Sequence, residues 1–121
     1  MKGIYALILN IRKDFTLNVG RNLKNISFKK GNYIYVGSAL NSVEKRVQRH
    51  IRKEKKIHWH IDHLTTSRHS SIEKILYLET ESKLECNLSQ NIAKLPNSIP
   101  IKKFGSTDCK SGCMSHLYHI N

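Results

Sequence analysis

The feature that most constrains this chain is the apolar run GIYALILNI from Gly3 to Ile11. Its apolar residues occupy odd and even positions alike, which neither a half-exposed strand nor an amphipathic helix allows. The run is short for a buried helix and far below the ~20 residues of a membrane span. A strand buried on both faces is the reading left. The stretch from Gly31 to Ala39 (GNYIYVGSA) is built in the same way, from β-branched and aromatic residues with glycine at its start and near its end. Two such strands side by side would present phenol groups, Tyr5 and Tyr35 among them, along one face or edge. Their glycines would let another backbone or a phosphate come close.

Local signals place the other elements. Phe15 to Val19 alternates as a half-buried strand does, and Ile26-Ser27-Phe28 is a further short extended piece. With Tyr33 to Val36 as the next strand, the first third reads as an antiparallel meander. Asn41 with Glu44 three residues on predicts a capped helix start, with Val43, Val47, His50 and Ile51 on one face. Arg46 lies beside that stripe, while Lys45, Arg49, Arg52 and Lys53 face outward. Ile57 to Leu64 predicts a short helix, Ile72 to Glu79 a strand, and Ser82 to Lys94 a second long helix with a Ser82–Glu85 capping box. The tail holds a final strand at His116 to Ile120. Together these predict one α+β domain over residues 1–121.

The 121-residue chain carries 21 Lys and Arg against 9 Asp and Glu, a formal charge of +12. A domain of this length buries roughly two thirds of its unfolded surface and needs no staples. Net charge says nothing of fold, but one this basic favours nucleic acid as a partner ahead of an anionic membrane. No apolar run reaches membrane-span length and no cleavage site follows the first one, so no membrane partner is expected. Cysteine is sparse and odd in number, at Cys86, Cys109 and Cys113. That predicts a reduced, cytoplasmic chain in place of a disulfide framework.

Read in order, Gly3-Ile4-Tyr5, Tyr35-Val36-Gly37, a helix with Arg46 and His50, and Glu85 near the start of a later helix resemble the GIY-YIG nuclease superfamily. Either tripeptide alone occurs by chance. Their order, with Arg46 nine residues after Gly37, is the specific part. HWHIDHL (58–64), KLECNL (83–88), FGSTDC (104–109) and SHLY (115–118) resemble one small stand-alone group within it, the Uri-type endonucleases. The likeness runs over nearly the whole chain. It implies a small antiparallel β-sheet of three central strands flanked by helices, to which the present pattern adds short extra strands.

The resemblance also implies an activity, the metal-dependent hydrolysis of DNA phosphodiester bonds. By position it implies Tyr5 and Tyr35 as general base or water positioner, Arg46 on the scissile phosphate, and Glu85 on Mg²⁺ or Mn²⁺. His50 is a helper and Gly37 the point of close approach; Ser38, Arg49 and His60 are expected to contact substrate. A tyrosine with a pKa near ~10 is a poor base at neutral pH unless a metal or neighbouring cations depress it, and the basic surroundings are expected to do so. The asparagine that the wider superfamily places after the glutamate's helix has no clean match, and Asn97 is the candidate.

Several residues carry a second reading. Glu85 is equally explained as the far end of the Ser82 capping box. His58, His60 and His63 lack the helical i, i+4 spacing of a metal pair and are expected to pack around Trp59 and touch nucleic acid. Cys109, Cys113 and His116 have a Cys-x₃-Cys-x₂-His spacing that offers three ligands of a zinc site, with a reduced packing pair as the alternative. For the whole chain, the alternative to an endonuclease is a non-catalytic basic module that grips phosphates, and a third reading is a zinc-stabilised interaction domain. Nothing in the chain reads as a recognition helix, so substrate selectivity is expected to come from nucleic-acid structure or from a protein partner.

Overall fold

The two glycine–tyrosine runs are strands and pair with each other. β1 (Gly3–Ile11) runs antiparallel to β4 (Gly31–Ala39), in register from Gly3 opposite Ala39 to Ile11 opposite Gly31. The computed structural model describes residues 1–21, 23–106 and 112–121. On its other side β1 pairs antiparallel with β5 (Ser70–Glu79). β7 (Leu117–Ile120) adds to β4, and β6 (Ser98–Pro100) adds to β7, giving a five-stranded sheet in the order β5-β1-β4-β7-β6. β1 therefore has a neighbour on each edge, and its burial along nearly its whole length follows from that place. β2 (Phe15–Leu17) and β3 (Ile26–Phe28) form a separate two-stranded ribbon.

The pleat sorts the core into two layers. Odd residues of β1, from Tyr5 to Ile11, share a cluster with Tyr33, Phe28, Val43, Ile61, Leu64 and Phe104. Those residues bring in α1 (Val43–Ile51) and α2 (His60–Thr65). On the opposite face Val36 and Tyr118 pack with Ile92 and Leu88 of α3 (Glu85–Ala93). Helices thus flank both faces of an antiparallel sheet, as the α+β reading expects. Each fully buried side chain of the Leu or Phe kind stabilises by roughly 1.5–3 kcal/mol, and Leu7, Leu9, Phe28, Leu64, Phe104 and Leu117 are among those that contribute it. Among the described residues no helix is long and apolar enough to cross a membrane.

The helix starts differ from expectation, and the differences matter for function. α1 is capped by Ser42, whose Oγ accepts from the Lys45 N–H at 3.1 Å, and not by Asn41. Glu44 is drawn instead to the Met1 ammonium, at 3.0 Å to each carboxylate oxygen. α3 begins at Glu85 after Leu84, with no side-chain cap, so the Ser82–Glu85 box is not formed. Ile51 is half exposed and not part of the buried stripe, and β6 is a strand beyond the one expected in the tail.

Candidate active site

Tyr5 of β1 and Tyr35 of β4 lie on the same sheet face, because Tyr5 pairs with Gly37 and Leu7 with Tyr35. Gly37 is glycine for a concrete reason. A Cβ there would stand inside the ring of Tyr5, so the space it leaves is filled by the phenol and not left open for a phosphate. Beyond the strands, α1, α3 and the tail close a cleft of about 180 Å³ lined by Tyr5, Tyr35, Gly37, Ser38, Arg46, Glu85 and His116, with Trp59 and Gly105 at its sides. The four groups expected to act on a phosphodiester (the two phenols, Arg46 and Glu85) are brought together.

Arg46 is held from two sides. Its Nη1 donates to the Ser38 carbonyl at 2.9 Å, and its guanidinium carbon lies 4.6 Å from the Trp59 ring centroid. Neither partner is a carboxylate, and no ion pair with Glu85 forms among the described residues. A cation and an anion therefore face one cleft without neutralising each other.

Arg49, expected on the substrate, has a different job. It forks onto Asp62 with two 2.8 Å bonds and reaches the Lys56 carbonyl at 2.9 Å. Asp62 is fully buried and also accepts the backbone N–H groups of His58 and Trp59 at 2.8 and 2.9 Å. Burial alone would raise the Asp62 carboxyl. The Arg49 fork and the two N–H groups outweigh it and hold the pKa at about 2. This knot fixes the start of α2 and the Trp59 indole on which both Arg46 and Arg49 lie. Lys53, read as an outward charge with Arg49, is likewise an internal prop, as is Lys55. Lys53 bonds the Ser67 and Ser70 carbonyls, and Lys55 closes the end of α1 through the Arg49 and His50 carbonyls.

His50 projects from α1 onto the phenol, with Nε2 2.8 Å from the Tyr5 hydroxyl oxygen. Burial is the main force lowering its pKa to about 4, and Lys55 adds to it, so the ring is neutral. Its Nδ1 is buried without a partner. The phenols respond to the same burial in the opposite sense. Tyr5 and Tyr35 are both pushed well above the ordinary tyrosine value, with Arg46 pulling back only in part. The expectation that the basic surroundings depress them is thus reversed, since desolvation of the phenolate outweighs a nearby guanidinium.

Of the remaining expected residues, Ser38 lines the cleft and offers its carbonyl to Arg46. His60 accepts the Gly105 N–H at its Nδ1, 3.0 Å away, and so positions the cleft's side without lining it. His58 packs edge-on against Trp59, and no metal grouping of His58, His60 and His63 arises among the described residues. Asn97 bonds the Asn121 carbonyl and does not line the cleft. Cys109 lies outside the described residues. Cys113 and His116 do come together, and the third group beside them is Cys86 of α3, within 4.8 Å of both at its ligand atom. Its place next to Glu85 on a helix was the available signal, but only the fold brings α3 to the tail.

No curated protein and no solved structure matches the chain. Residues 4–121 match the family model described as Domain of unknown function DUF123, and the chain belongs to that family.

Proposed function

We propose that this chain is a divalent-metal-dependent endonuclease of the GIY-YIG type, hydrolysing phosphodiester bonds of nucleic acid, DNA first. The observation that carries the reading is the unneutralised pair, Arg46 and Glu85, facing one cleft with two phenols. A structural role for either would be met most simply by a salt bridge between them. Glu85 fits a hard cation: its carboxylate is partly exposed, at 28 % for the side chain, and among the described residues it meets the His116 ring at 3.5 Å but neither a helix cap nor an arginine. One carboxylate plus water is an ordinary Mg²⁺ ligand set. Such an ion supplies charge relief at the phosphoryl oxygens and a more acidic water.

The protein's own groups supply the rest. Arg46, fixed by Ser38 and Trp59, offers its remaining donors to the oxygens that gain charge in the pentavalent transition state. With the His50 proton on Nδ1, Nε2 accepts the Tyr5 hydroxyl proton and leaves the phenol oxygen's lone pairs for a water in the cleft. A proton taken from that water by Tyr5 passes its counterpart on to His50. Arg46, Arg49 and Lys55 oppose charging of His50, and a bound phosphodiester offsets them. Arg46 also lines a shallow depression with Asn41, Ser42 and Lys45, a course for the flanking backbone.

The test is a panel of duplex, flap, junction and single-stranded DNA and RNA with Mg²⁺ or Mn²⁺. Cleavage of at least one form, lost on chelation and in Arg46→Ala with the fold intact, is expected; no cleavage of any form sinks the reading. The raised pKa values of both phenols favour one alternative, a non-catalytic phosphate-gripping module of the same fold. That module would bind with steep salt dependence, and Glu85→Gln would leave its binding equal or tighter.

A further inference from the structure

We propose that Cys86, Cys113 and His116 form a zinc site at the back of the cleft, two thiolates and one imidazole from among the described residues. It is a different site from the hard-cation position at Glu85 and does not rest on the nuclease reading.

The three residues come from distant parts of the chain, α3 and the segment ahead of β7, yet their ligand atoms all lie within 4.8 Å of one another. Cys86 Sγ is 4.0 Å from His116 Nε2. Zinc bond lengths in a tetrahedron place sulfur and nitrogen about 3.6 Å apart and two sulfurs about 3.8 Å apart. Small side-chain rotations therefore close the set. Two thiolates also select zinc over Mg²⁺, which prefers oxygen.

The scaffold holds the donors where such a site needs them. His116 is fixed by its backbone, its N–H donating to the Phe104 carbonyl and its carbonyl accepting from the Val36 N–H, both at 2.9 Å. One turn along α3 from Cys86, Ser89 donates to the Ser115 carbonyl at 2.6 Å, and the Tyr118 hydroxyl reaches the same carbonyl at 2.9 Å. Helix and tail are thus locked together beside the thiols. The imidazole is turned so that Nε2 faces Cys86 while Nδ1 lies 3.5 Å from Glu85 Oε2. A carboxylate behind a histidine in this way fixes the ring and raises its strength as a ligand. Binding displaces the two thiol protons to solvent.

Cobalt(II) titration of the reduced, metal-free full chain reads this site directly. One equivalent is expected to give thiolate-to-cobalt charge-transfer and tetrahedral ligand-field bands, bleached by zinc, and zinc alone should raise the thermal midpoint. Cys86→Ser and His116→Ala are expected to lose the bands. Glu85→Gln is expected to keep them with affinity weakened about 10–100-fold, while losing any cleavage activity, which separates the two sites. Folded, reduced wild-type protein that shows no charge-transfer band overturns the proposal, as does a Cys86→Ser variant with undiminished binding. Should the variants fail to fold, the wild-type titration decides alone.

Discussion

On the α1–α2 wall of the cleft, Asp62 gathers Arg49 and two backbone N–H groups into a closed, satisfied knot. On the α3–tail wall, Glu85, Cys86, Cys113 and His116 bring a carboxylate, two thiols and an imidazole together around one 3.5 Å contact. The first wall is complete from the protein's own charges and needs no ligand to hold its shape. The second concentrates groups whose common chemistry is cation binding. Arg46 stands between them, tied to backbone and indole and, among the described residues, to no carboxylate. The contrast separates charges that the fold itself consumes from charges left for the proposed chemistry, a distinction that net charge and helical position do not make.

The largest effect should come from breaking the closed wall. Asp62→Ala strands Arg49 and two N–H groups and is expected to cost about 3–5 kcal/mol in urea unfolding. A loss below 1 kcal/mol would mean that the knot is not what holds α2. Next comes the split between the two arginines. Arg46→Ala should lower cleavage by about 10²–10³-fold with a small stability change. Arg49→Ala should lower stability first. Equal effects of both on both readouts would erase the distinction.

Acid should act on the same wall through His50 and Asp62. The folded His50 pKa is about 4 against an ordinary 6.5, so the unfolded chain takes up that proton first. Its contribution is present above pH 6.5 and lost as pH falls toward 4, on the order of 3 kcal/mol in all. Asp62, lowered from 3.8 to about 2, extends the loss below pH 4. Unfolding free energies measured between pH 7 and 4 should decline, and His50→Gln should flatten that decline. A smaller loss, about 1–3 kcal/mol, is expected of Gly37→Ala, whose methyl group displaces the Tyr5 ring; unchanged thermal stability would show that the ring moves freely.

The strands were legible because burial leaves its mark in composition. Gly3–Ile11 is apolar on both faces since it is a central strand with helices packed on either side of the sheet, and its bounds are those read from the residues. The tyrosines, Arg46 and Glu85 were legible through order and spacing. Capping was not, because Ser42 and Asn41 are equivalent by type and the Met1 ammonium competes for Glu44. The role of Arg49 was hidden as well, since its partner Asp62 lies on another helix. Cys86 could not be joined to Cys113 and His116 without the packing of α3 on the tail. The raised phenol pKa values depend on burial depth, which spacing does not encode.

The central claim is that Glu85 is chemistry and not scaffold. It is tested most directly by comparing wild type and Glu85→Gln for Mn²⁺-dependent cleavage of the preferred DNA form, with thermal unfolding of both. The account predicts that cleavage falls to background while the midpoint stays within a few degrees. Cleavage retained in a folded Glu85→Gln protein would contradict it.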